Sequence, residues 1–241
     1  MKPLRAWASP MFLLLLAFSA GTPQRARAQE KSVRPRINRP FENPDVKQFL
    51  GAFEVESREV FAKRKEIVAA CNIKPGMSVA DIGAGTGLFT RLFAKEVGAD
   101  GKVYAVDIAP NFIKHIEKIC KDQGLKNVAG IVCKPDSAEL PANSIDLAFV
   151  CDTYHHFEFP FKTMASIHRA LRPGGRLVLV DFRRIKGQSS DWVMNHVRAG
   201  QEVFTREILA SGFKQVEEAK FLKENYLVRF EKIEREKSTN R

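Results

Sequence analysis

Three glycines, Gly83, Gly85 and Gly87, fall as G-x-G-x-G within VADIGAGTGLFTR (79–91), and the carboxylate of Asp81 stands two residues before the first. Glycine at such a turn lets a ligand approach backbone that a Cβ would shield. A turn joining a strand to a helix aims N–H groups, at the positive end of the helix dipole, into the crevice beyond the strand's carboxyl edge. The dinucleotide fingerprint is spaced G-x-G-x-x-G, and the Walker G-K-[ST] is missing here. A carboxylate beside the loop repels a diphosphate and attracts a cation. The loop therefore suits a nucleoside that carries positive charge.

A second group lies in FVCDTYHHFEFP (149–160), where Cys151, Asp152, Tyr154, His155 and His156 follow an apolar run. His155 or His156 could serve as a base or orient an acceptor; the bland alternative is helix capping and packing. Asp152, His155 and His156 are close in sequence, but closeness does not show that side chains converge, so no metal site is expected. The cysteines, Cys71, Cys120, Cys133 and Cys151, show no CxxC spacing and signal neither zinc nor a disulfide framework.

These groups need strands and helices to carry them. Asn43-Pro44 opens a short helix through DVKQFLGAF, a second helix is expected over 57–71, and KPG at 74–76 forces a turn. SVADI (78–82), KVYAVD (102–107), VAGIV (128–132), IDLAFV (145–150) and RLVLVDF (176–182) read as short buried strands alternating with amphipathic helices. That alternation means βαβ units, a parallel sheet and right-handed crossovers that put helices on both faces. The end differs: after the helical TREILASGF, the strand-like KQVEEAKFL and NYLVRFEKI stand close enough to pair antiparallel.

VADIGAGTGLFTRL resembles the first motif of class I S-adenosylmethionine-dependent methyltransferases, and three later segments agree in order. VYAVDIAP resembles the second motif, CKPDSAELP the segment that brackets adenine, and LRPGGRLVLVDF the late L-x-P-G-G strand. The resemblance spans roughly residues 57–235. It implies a doubly wound, mostly parallel seven-stranded α/β sheet of Rossmann-like type with an antiparallel last strand, and S-adenosylmethionine as cofactor. It places Asp81, Gly83, Gly85 and Gly87 at the amino-acid end of the cofactor, Asp107 and Ile108 at the ribose, and Asp136 and Ser137 at adenine. Cys151 would line the cofactor edge, with His155 and His156 beside the transferable methyl. Tyr154, together with Trp192, His196 and Arg198 from the 183–204 insertion, would face a small-molecule acceptor through oxygen, nitrogen or sulfur. Two rivals stay open: a non-catalytic protein that binds the nucleoside, and an NAD(P)-dependent oxidoreductase, which the loop spacing disfavours.

The start of the chain reads as a targeting segment. Lys2 and Arg5 precede the apolar MFLLLLAFSA, and Ala26-Arg27-Ala28 supplies an A-x-A cleavage site, which predicts a signal peptide over 1–28 and export to a periplasm or the exterior. A ten-residue run is too short to span a bilayer, which takes about 20 residues, so no stable span is expected after cleavage; an uncleaved anchor is the alternative. Residues 29–42, rich in Arg and Pro without apolar period, read as a flexible leader, and 43–241 as one domain with N-terminal helices. The formal net charge of +11 drops by four with Lys2, Arg5, Arg25 and Arg27. No aromatic-interleaved basic stripe or target-base motif points to nucleic acid, and the sequence is silent on oligomeric state.

Overall fold

Strand β1 (Ser78–Ile82) lies inside a seven-stranded sheet of order β3-β2-β1-β4-β5-β7-β6, seen in a computed structural model that describes residues 29–234. The other strands are β2 (Lys102–Asp107), β3 (Val128–Val132), β4 (Ile145–Cys151), β5 (Leu171–Phe182), β6 (Phe213–Ala219) and β7 (Asn225–Lys232). β1 to β5 run parallel, and β7 inserts antiparallel between β5 and β6. The sheet is the mostly parallel, doubly wound α/β architecture that the resemblance implied. The signal-peptide reading of 1–28 lies outside the described residues.

Period-2 alternation explains how both faces are buried. Phe149, Val178 and Val180 point to one side, where they join Phe89 and Phe93 of α4 (Leu88–Val97). Ala148, Val150, Leu177 and Leu179 point to the other, against Met164 and Ile167 of α6 (Pro160–Ala170) and Phe204 and Ile208 of α8 (Gln201–Ala210). α5 (Pro110–Asp122) covers the β2–β3 end with Ile113, Ile116 and Cys120. Tyr226 of β7 is wholly buried in the second layer, and its hydroxyl has no hydrogen-bond partner among the described residues. A stranded buried hydroxyl costs about 1–3 kcal/mol, so Tyr226→Phe is expected to raise the unfolding free energy by about 1 kcal/mol in urea titration. A fall would show that the hydroxyl is satisfied.

Three expectations change. The helix read over 57–71 divides into α2 (Glu59–Ala62) and α3 (Arg64–Ala70) at Lys63, whose ψ of 15° leaves the regular helical path. β5 begins at Leu171 instead of 176, because LRPGG is itself drawn into the strand. Residues 29–42, read as a flexible leader, are instead laid across the molecule. Arg34 donates to the carbonyls of His196 (2.7 Å) and Asn195 (2.8 Å), Asn38 to that of His156 (3.1 Å), and Val33 N–H to that of Glu158 (2.9 Å). α1 (Val46–Phe53), capped by Asp45, continues this strap over the carboxyl edge of the sheet. Single polar contacts hold the strap, and these leave no apolar period in the sequence to read.

Candidate active site

The loop after β1 is a run of left-handed turns, with φ of 75° at Gly83, 53° at Gly85 and 79° at Gly87. Gly83 and Ala84 donate to the Val106 carbonyl at 2.8 and 3.0 Å, which ties the loop to β2. Asp107, at the end of β2, accepts from Gly85 N–H and from Ala109 N–H, both at 2.8 Å. Asp81, next to last in β1, is almost completely buried, accepting a 2.6 Å bond from Thr90 of α4, with no ion-pair partner among the described residues. Burial pushes its carboxyl up to about 7, against the pull of the Thr90 bonds. Burial raises Asp107 too, and the N–H groups of Ala109 and Gly85 oppose that rise. Two buried acids therefore sit where a positive charge would ionise them fully.

These groups open on a cavity of about 610 Å³. Of the residues expected at the site, Asp81, Gly83, Gly85, Asp107, Ile108 and Ser137 line it on the side of the glycine loop. Cys151, His155, His156, Trp192 and His196 also line it. Four others lie outside the lining. Gly87 caps α4, and a Cβ there would meet Ile116 Cγ1 at 2.7 Å, so its part is packing. The Asp136 carboxylate is partly exposed, 3.6 Å from Lys162 Nζ. Tyr154 is fully buried behind the wall against Phe157 and Phe204, and Arg198 forms a double hydrogen bond with Glu207 at 2.9 and 2.5 Å, its guanidinium over Phe204. Neither Tyr154 nor Arg198 faces the cavity, because the turn at 152–154 directs the tyrosine inward. Burial also raises the Cys151 thiol far above its ordinary range, leaving it a neutral wall group.

Several residues in and behind the wall carry no motif in the sequence. Asp181 of β5 is wholly buried and binds His155 twice, its Oδ1 2.8 Å from Nδ1 and its Oδ2 accepting from the backbone N–H at 3.2 Å. The signal was a lone carboxylate inside the apolar RLVLVDF. Phe41, Phe49 and Phe53 come from the strap and α1 and pack in sequence, with ring centroids 5.2 and 5.1 Å apart. Phe49 and Phe53 are one helical turn apart, which the sequence does show. His156 and His196 approach to 3.2 Å between their Nε2 atoms. Burial first, then the neighbouring His155, lowers His156 to about 2 and His196 to about 4, so both rings are uncharged at neutral pH.

The description "Methyltransferase domain" belongs to a family model that matches residues 73–232. The chain belongs to this methyltransferase family. Among curated relatives, the ubiquinone/menaquinone biosynthesis C-methyltransferase UbiE of Burkholderia vietnamiensis is 30% identical over 118 residues, 49% of this chain and 48% of that protein. The chain spans about half the length of the curated relatives it matches. A SAM-dependent methyltransferase from Aquifex aeolicus superposes with a TM-score of 0.70 at 22% identity, covering 79% of this chain and all of that one. One from Mesorhizobium loti gives 0.59 at 18% identity over 71% and 98%. These two show the fold. The residues present fit S-adenosylmethionine, the cofactor that the sequence resemblance implies. The cavity volume lies within the usual range for small-molecule sites, and two buried acids line it where a cationic nucleoside would sit.

Proposed function

We propose that the protein transfers the methyl group of S-adenosylmethionine to a small, largely apolar ring compound. The observation that carries this reading is the cavity lining, in which Phe41, Phe49, Phe53, Phe182 and Trp192 share one space with the glycine loop. Aromatic walls take a planar apolar body at little entropic cost, and a few polar groups then fix its orientation. The cofactor supplies an electrophilic methyl on a sulfonium. The chain supplies the rest: Asp81 takes the α-ammonium, Asp107 with Ile108 the ribose, and Ser137 the adenine side. The strap and α1 keep water out. The histidines at 155, 156 and 196 meet the polar atom of the acceptor. Much of the catalysis can then come from alignment alone, since in-line displacement needs a base only where the acceptor carries a proton to lose.

The acceptor atom is oxygen, nitrogen or sulfur on the motif reading, and carbon if the similarity to proteins named C-methyltransferases extends to chemistry. Incubation with methyl-labelled cofactor and a panel of phenols, quinols and aromatic amines tests both. Label is expected in at least one aromatic product and in none of the aliphatic controls. Cofactor binding without label transfer to any acceptor would favour the non-catalytic reading instead. Export is proposed on the 1–28 segment alone. Gln29 as the first residue of the natural protein in an extracytoplasmic fraction is the expected result, and Met1 in the cytosol would remove it.

A further inference from the structure

The geometry points to a metal centre: His155, His156 and His196 form a three-imidazole site for a divalent transition metal, zinc in the first instance. One ring nitrogen from each lies within 4.8 Å of the other two, and all three rings line the cavity. Three of the five histidines in the chain thus meet at one point, although they come from two separate segments.

Each ring is held by its own device. His155 and His156 form the 3₁₀ turn Tyr154–His156 beyond β4, and His196 ends α7 (Asp191–His196). His155 turns Nδ1 to the buried Asp181 carboxylate at 2.8 Å, which fixes the tautomer and leaves Nε2 as the free lone pair. A carboxylate behind a ligating imidazole is the arrangement that orients histidine on zinc. His156 sits edge-on to Phe41 at 5.1 Å, with its carbonyl held by Asn38. His196 lies flat on Trp192 at 4.5 Å, with its carbonyl held by Arg34.

Two nitrogens about 2.0–2.1 Å from a tetrahedral ion stand about 3.3–3.4 Å apart. The His156 and His196 Nε2 atoms are 3.2 Å apart, close to that separation without an ion present. A hydrogen bond between the two explains the pair but not the third ring or its buried carboxylate. An N3 donor set without thiolate suits zinc, copper or nickel and leaves one position for water or substrate. That position would open on the cavity, where the metal would hold and acidify an acceptor hydroxyl. The histidines would then be ligands rather than bases. Metal binding itself does not depend on the methyl-transfer reading.

The test uses the full chain stripped of metal and titrated with Co2+, followed by visible absorption and by competition with Zn2+. One equivalent is expected to produce the intense d–d bands of a four- or five-coordinate ion, which zinc abolishes. His196→Ala should remove the bands, Asp181→Asn should weaken affinity about 10–100-fold, and His115→Ala should leave both unchanged. The cofactor-induced rise in melting temperature reports whether each variant is folded. Should the variants not fold, zinc protection of His156 and His196, the two more accessible rings, from diethyl pyrocarbonate in the unaltered protein reads the same site. A pale octahedral spectrum, wild-type affinity in His196→Ala, or no protection by zinc would overturn the assignment. Because metal content is read without an acceptor, failure here is distinct from failure to find methyl transfer.

Discussion

Asp81→Asn is expected to weaken S-adenosylmethionine binding by roughly 10- to 150-fold and to flatten its pH dependence. A hydrogen bond to a charged group contributes about 1.5–3 kcal/mol, and asparagine keeps the shape while losing the charge. The free carboxyl sits near 7 because burial disfavours its anion. An α-ammonium needs that anion, so wild-type affinity should rise about tenfold per pH unit up to pH 7 and level off above it. Stability of the free protein runs the other way. The folded carboxyl holds its proton above the unfolded value, so its contribution is complete below about pH 4 and is lost as pH rises through 7. The thermal shift produced by cofactor should therefore grow from pH 6 to pH 8. Asp107, raised in the same direction, leaves a smaller slope in the variant. Isothermal titration calorimetry across this range decides the matter, and a pH-independent wild-type affinity would remove Asp81 from the ammonium site.

Gly83→Ala is expected to damage both the fold and the loop. A side chain at φ 75° costs about 1–2 kcal/mol, and the new methyl would fall inside the Thr153 side chain, adding about 1–3 kcal/mol for overpacking. Thr153 is not free to leave, since its hydroxyl donates to the Cys151 carbonyl at 2.9 Å. Gly174 separates the two causes: its φ is 70°, yet nothing lies within 4 Å of a Cβ there. Gly174→Ala should show the backbone cost alone. Thr153→Gly in the Gly83→Ala background should recover the packing part, read as a coupling energy against the single variants. Equal melting temperatures for Gly83→Ala and Gly174→Ala would mean that the Thr153 contact is not made.

The glycine loop and its two acids were legible in the sequence because they are local. Gly83, Gly85 and Asp81 occupy one turn, and Asp107 stands at the end of the adjacent parallel strand, so spacing along the chain maps onto spacing in space. The acceptor side was not, because it is assembled from afar. Nothing in FVCDTYHHF tells which of Tyr154 and His155 turns inward; the answer rests on Asp181, 26 residues on, binding the backbone and ring of His155. His196 is 40 residues from its partner His156. Arg34 and Asn38 reach across more than a hundred positions with two hydrogen bonds each. Apolar periodicity records layers, and such contacts belong to no layer.

The strap across the carboxyl edge lies outside the family match yet forms part of the cavity. The family match begins at residue 73, whereas Asn38, Phe41, Phe49, Phe53 and Arg58 of the cavity wall all precede it. This segment also reaches the glycine loop, because Glu54 accepts from Thr86 Oγ1 at 2.8 Å and Phe53 packs over Gly85. Exchange of residues 29–58 would therefore alter the aromatic wall and the support of the loop together.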